Sequence, residues 1–468
     1  MELFLLFSSA LASCGSDEDL SSVAHAAASA LESDRYSTTF AGRQNPFTFS
    51  FAPADNTDYG VNPASRYIVP HIGPKRAGDA NWGIGELATL TSRQAIVAVI
   101  CTPPPVLLWS LETAILQRTN KSEYPQLKGE PNGPGAPVSN TENSATLMPV
   151  AARVNAPLVV IMTADRTTDS AVRSAFAALP ASPLNFVTIG INGTSSFLNF
   201  GKSLLGLPDL FQLCMRVHAS AAQANSSVFK AYANRSFPMM LVEPKFTAAD
   251  DPFYPIPERA MRTGATTEAG LISRKQILAS AVTRTMAAAG YSLHASVLFT
   301  AVELDKRRCL EDATYAPWRS VTSCLGTSSD GRYSLNDVYV LPNATNMSEL
   351  HTVVVGANHV ASGNAADNQL LYGLKLGVDP PEMVGSAKFY MGASAQPEDA
   401  HLFAFAFAAN ECDAQVHGRF CKHVDPQIAG AEGIMIRLEA YLDKVSGTRP
   451  SEGLVQPLGL VFVRTSGY

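Results

Sequence analysis

Three short, unbroken apolar runs constrain the fold of this chain more than any other feature. Ala95–Ile100, Leu158–Thr163 and Phe186–Ile189 are rich in β-branched residues and carry no polar alternation. Such runs suit strands covered on both faces, as in a parallel sheet with helices above and below. Ser170–Leu179 has helical composition between the second and third runs. Val106–Gln117, entered through Pro103, Pro104 and Pro105, reads as a helix after the first. The expected fold class is α/β, with a parallel βαβαβ sheet in the N-terminal part. The C-terminal part is expected to be a mixed or antiparallel α+β arrangement. It carries extended runs at Tyr333–Leu341, Val353–Val355, Leu402–Phe407, Ile434–Leu442 and Leu458–Val463, joined by long polar loops. Two further helices are expected, over Ser21–Ser33 and over Leu271–Ala289 with Gly290 as its stop.

A chain of 468 residues exceeds the size at which one hydrophobic core keeps growing, so more than one compact unit is expected. The sequence reads as a signal over 1–12, an irregular segment over 13–78, an α/β domain over 79–304 with a loop excursion at 119–149, and a C-terminal domain over 305–468. No sequence repeat is visible. Apolar residues at 46% and charged residues at 16% supply ample core. The net charge of −6 and the absence of any basic run longer than Lys306-Arg307-Arg308 exclude an electrostatic footprint for nucleic acid.

Location is read from the N-terminus and the cysteines. Leu3–Phe7 followed by Ala10-Leu11-Ala12 has the apolar core and small-residue cleavage pattern of a secretory signal, too short to span a bilayer. Leu11-Ala12-Ser13-Cys14 also fits a lipoprotein box, with Cys14 as the lipidated residue. No other apolar stretch predicts a transmembrane segment. Cys309 with Cys324, and Cys412 with Cys421, flank loop-like stretches and are expected to form disulfides in an oxidising compartment. Cys101 and Cys214, inside apolar runs, read as buried thiols. N-glycosylation sequons stand at Asn120, Asn192, Asn225, Asn234, Asn343 and Asn346. The protein is therefore expected to be secreted or extracytoplasmic, with the lipid-anchored form as the alternative.

Chemistry in a parallel sheet gathers where strands end and helices begin. That rule nominates Asp165, as general acid or base or as a helix cap, and Arg166, as a carboxylate or phosphate ligand or an ion-pair partner. Gly190–Ser195 resembles a phosphate-binding turn but matches no nucleotide motif. Asn358-His359 leaves the buried run Val353–Val355 and is nominated on the same grounds. Glu411, Cys412, Asp413, His417, Cys421, His423 and Asp425 include metal-ligand types at no standard spacing. No cofactor or metal is expected. The functional expectation is an exported enzyme of hydrolase or lyase type acting on a small or modest-sized substrate. The alternative is a non-catalytic secreted or surface glycoprotein with a binding role.

Overall fold

The computed structural model describes residues 14–40, 48–51, 65–71, 88–117, 136–139, 142–144, 147, 155–180, 184–195, 198, 200–201, 209–246, 249–254, 268–302, 331–336, 349–365, 367–372, 376–378, 380–409, 411–424, 436–441 and 454–464. The chain divides into two units. The first takes 1–61, 65–258 and 304–329, and the second takes 62–64, 259–303 and 330–468. The helix over Leu271–Ala288 and the strand after it belong to the second unit. The expected signal over 1–12 lies outside the described residues.

The first described element of the first unit is α1 (Asp17–Ser33), started by a capping box between Ser16 and Asp19. Its buried residues, Leu20, Ala24, Ala27, Ala28 and Leu31, fall on one stripe. Its strands are β1 (Tyr36–Thr39), β2 (Thr48–Phe51), β3 (Ser65–His71), β4 (Ala88–Thr89), β5 (Ala95–Cys101), β6 (Leu108–Gln117), β7 (Ala136–Pro137), β8 (Glu142–Asn143) and β9 (Pro157–Thr163). Then follow α2 (Arg166–Ala177), β10 (Asn185–Gly190), β11 (Leu210–His218), the short helices α3 (Ala221–Asn225) and α4 (Ser227–Ala233), and β12 (Ser236–Pro244). The strand order is β10-β9-β5-β12-β2-β3-β11-β6-β7, with β1 on β12, β4 on β11 and β8 on β6.

The parallel βαβαβ expectation is corrected here. β9, α2 and β10 do form one parallel βαβ unit, but β5 pairs antiparallel with β9. Every residue of β5 and β9 is buried. A continuous apolar run reports that double burial and says nothing of strand direction, which depends on the connection. The connection is the second correction, because Leu108–Gln117 is a strand, not a helix. It alternates Trp109, Leu111 and Ile115 with Ser110 and Glu112, and it pairs with β11 along its length. Part of the 119–149 excursion returns as β7 and β8 on the edge of β6. Glu112 is buried against Arg216 of β11 at 3.2 Å, a paired charge on a face that also carries buried Ser110, Gln212 and His218.

The second unit comprises α5 (Leu271–Ala288), β13 (Tyr291–Val302), β14 (Gly331–Asn336), β15 (Leu350–Ala357), β16 (Asp367–Tyr372), β17 (Leu376–Val378), α6 (Pro380–Met383), α7 (Ser386–Met391), β18 (Leu402–Ala408), α8 (Ala414–His417), β19 (Cys421–His423), β20 (Ile436–Tyr441) and β21 (Leu458–Arg464). Its sheet runs β17-β16-β20-β14-β13-β21-β15-β18-β19. Only β18 and β19 are parallel among these described pairs. The protein is thus mixed α/β with few helices and sheets of mixed strand direction. The core lies between α5 with α7 and the strands β15, β18 and β21, where Leu278, Val282, Met286, Val353, Val355, Ala404 and Phe462 are buried.

Candidate functional site

Asp165 and Arg166 belong to the first unit, Asn358 and His359 to the second, and each is engaged in local structure. Asp165 is the N-cap of α2. Its Oδ2 accepts from Thr168 N at 2.9 Å and Thr168 Oγ1 at 2.8 Å, and its Oδ1 accepts from Asp251 N at 3.1 Å. A carboxylate at 1% exposure that collects three donors anchors a helix end. Asp165→Ala should cost about 2 kcal/mol, read from the urea midpoint. Arg166 donates through Nε to Asp251 Oδ1 at 2.9 Å, pairs with the same carboxylate through Nη2, and lies 5.6 Å from the Tyr254 ring centre.

A buried polar cluster lies in the second unit. Asn358 starts the turn after β15, its Oδ1 accepting from Ala361 N at 3.1 Å. Gly363 closes that turn at φ +76°, a left-handed conformation that favours glycine. His359 thereby faces Glu268, three residues before α5, with Nδ1 at 2.8 Å from Oε1. The same oxygen accepts from Ser362 Oγ at 2.5 Å and Asn364 Nδ2 at 2.9 Å, while Oε2 accepts from Val455 N at 2.9 Å. Burial opposes ionisation of this carboxyl. The His359 hydrogen bond and charge, with those from Ser362 and Val455, prevail and hold it at about 2. Glu268 is 0% and His359 2% exposed. Ser362 gives its hydroxyl proton to the carboxylate.

Sequence reasoning missed Glu268. It lies 91 residues from His359, in a stretch with no motif, and only the packing of α5 against β15 joins them. It also missed the buried pair His351 and His417. Their rings stack at 4.9 Å, with Nδ1 and Nε2 3.1 Å apart. A hydrogen bond between two ring nitrogens needs one protonated and one bare, and burial pushes the His417 imidazole below its ordinary range. Among the described residues no group of three or more His, Cys, Asp or Glu side chains is placed to hold a metal ion.

Cys412 and Cys421 are joined by a disulfide. Cys14 and Cys101 form a second one, which corrects the reading of Cys101 as a thiol. Cys214 is buried and free, and burial raises its thiol far above the usual range. Cys309 and Cys324 lie outside the described residues, as do Asn120, Asn343 and Asn346. Asn225 and Asn234 are exposed; Asn192 is half-buried, its Oδ1 accepting from Thr194 N and Oγ1. Among the described residues no helix is long and apolar enough to cross a membrane.

No protein-family model and no curated protein sequence matches the chain. Among solved structures, the VPA0106 protein from Vibrio parahaemolyticus aligns over 86% of this chain and 90% of its own, at 10% identity and a TM-score of 0.37. A Parabacteroides distasonis protein proposed to be secreted aligns over 90% of this chain and 99% of its own, at 9% identity and a TM-score of 0.15. Overlaps this loose carry no argument about function.

Proposed function

We propose that the protein is an exported, disulfide-stabilised binding protein, and that none of the four nominated residues performs catalysis. The observation that carries this reading is that each is spent on local structure. Asp165 caps a helix, Arg166 pairs with Asp251, Asn358 caps a turn, and His359 is buried on Glu268. Catalytic groups need access to a substrate and a shared cavity. Export is supported by the two disulfides, which persist in oxidising compartments. Glycans on Asn225 and Asn234 fit the same reading, since both side chains are exposed.

One observation favours the enzymatic reading, a hydrolase or lyase of small substrates. The carboxylate–imidazole pair is the arrangement by which a general base is oriented and its tautomer set. The purified protein should be assayed against chromogenic esters, glycosides, amides and phosphoesters, beside His359→Gln. No turnover above background is expected from either. Turnover by the wild type that disappears in a folded His359→Gln protein would overturn the binding reading.

A further inference from the structure

The two units share a topology that the amino-acid sequence hides. In each, the first described helix is long and is followed by one residue at positive φ, then Tyr-Ser opening a strand. The first reads α1, Arg35 at φ +68° and Tyr36-Ser37, and the second α5, Gly290 at φ +85° and Tyr291-Ser292. Strands β10-β9-β5-β12-β1 pair parallel, antiparallel, antiparallel, antiparallel, and β19-β18-β15-β21-β13 pair in the same sequence of senses. A second set, β3-β11-β6-β7, matches β14-β20-β16-β17, all antiparallel. Chain order is preserved throughout both sets. The crossover helices α2 and α8 sit at the same step, each N-capped by an aspartate, Asp165 or Asp413.

Register agrees residue by residue. Tyr36 faces Pro244; two residues back, Val242 faces Ala95, Ala95 faces Thr163, and Thr163 faces Gly190. Tyr291 faces Arg464; two residues back, Phe462 faces His351, His351 faces Ala408, and Ala408 faces His423. Carrying the count past the strand ends makes Thr102 equivalent to Asn358 and Ala156 to His401. The backbone bond Thr102 N to Ala156 O, 2.8 Å, has its counterpart in Asn358 N to His401 O, 2.8 Å. A one-residue slip would turn every side chain to the other face, so this agreement is not a generic property of sheets.

The equivalence has a chemical consequence. Cys14 stands three residues before α1 and bonds to Cys101, the residue before Thr102. Glu268 stands three residues before α5 and bonds to His359, the residue after Asn358. We propose that the chain is an internal duplication of one fold, and that the Cys14–Cys101 disulfide and the Glu268–His359 pair are the same clasp in two chemistries. Each holds the start of its unit's first helix to the end of a central strand. The clasp of the first unit opens on reduction and that of the second opens on acid. Among the described residues, the groups that bond the Glu268 carboxylate are His359, Ser362 and Asn364 from the turn after β15 and Val455 N–H from the segment before β21. The charged groups of α5 nearby are otherwise engaged, Arg274 with Asp399 and Lys275 with Gln456 O. Among the described residues His359 is the imidazole bonded to this carboxylate.

The test is to move the first clasp into the second unit. Glu268→Cys with Ala357→Cys places thiols at the positions of Cys14 and Cys101. Mild oxidation of the folded full-length chain should close a new disulfide, detected by peptide mass. Amide exchange in 271–288, corrected for intrinsic rates, should then lose its acid sensitivity. In the wild type, opening of that helix should rise on the order of 100-fold between pH 7 and pH 2. Thiols that stay free in the folded variant, or a bond that forms without changing the acid response, would overturn the proposal. The wild type supplies a second measurement that does not depend on the variant folding. Acid should expose 271–288 before 17–33, and reductant at pH 7 should expose 17–33; the reverse order, or no difference, refutes the equivalence. Turnover in the substrate panel would end the binding reading and leave this one standing.

Discussion

Glu268→Ala is expected to lower stability by about 4 kcal/mol, because it removes a buried carboxylate on which four groups converge. The truncation removes the acceptor shared by the His359 Nδ1, the Ser362 hydroxyl, the Asn364 amide and the Val455 N–H. The wild type carries a matching acid dependence. Glu268 is held at about 2 in the folded chain against an ordinary 4.5. A carboxyl depressed by folding contributes stability that is fully present above its unfolded value. That stability drains away as pH falls from about 4.5 toward about 2, and it amounts to about 3 kcal/mol. Urea unfolding at a series of pH values checks both. The wild type should lose stability steeply across that window, and Glu268→Gln, already destabilised, should lose less. Parallel pH profiles would show that the carboxylate is not the acid-sensitive group.

Cys14→Ser with Cys101→Ser should be the costlier disulfide deletion. The bond closes a sequence separation of 87, against nine for Cys412–Cys421. In the chain-entropy model those loops correspond to about 4.5 and about 2.7 kcal/mol of restriction in the unfolded chain. The long bond also fixes a hydrogen-bonded start. Cys14 N donates to Asn155 O, Arg235 donates to Gly15 O and to Asp17, and Ser236 N donates to Asp17. Melting temperatures of the two double variants should rank in that order, and equal shifts would count against a loop-length origin.

How far each element was legible depends on the range of the forces that made it. The helices over Asp17–Ser33, Arg166–Ala177 and Leu271–Ala288 lie close to where composition and stop signals put them, because caps and buried stripes are local. Leu108–Gln117 was misread as a helix. A proline-led segment with Leu, Glu and Ala has helical propensity, and pairing with β11 overrides it. His359 was visible as a polar residue leaving a buried strand, yet its chemistry was not, since its partner Glu268 is 91 residues away.

By itself the amino-acid sequence determined which stretches are apolar enough to be covered on both faces and where helices start and stop. These follow from side-chain type and short-range geometry. Tertiary structure alone decided the antiparallel sense of β5 on β9, the bonding of Cys14 to Cys101, the burial of Glu268 on His359, and the repetition of one topology in two units. Strand direction and long-range pairing are set by how chain segments return to one another, and many side-chain sequences satisfy the same return. A duplicated fold can therefore persist after the likeness of its two sequences has gone.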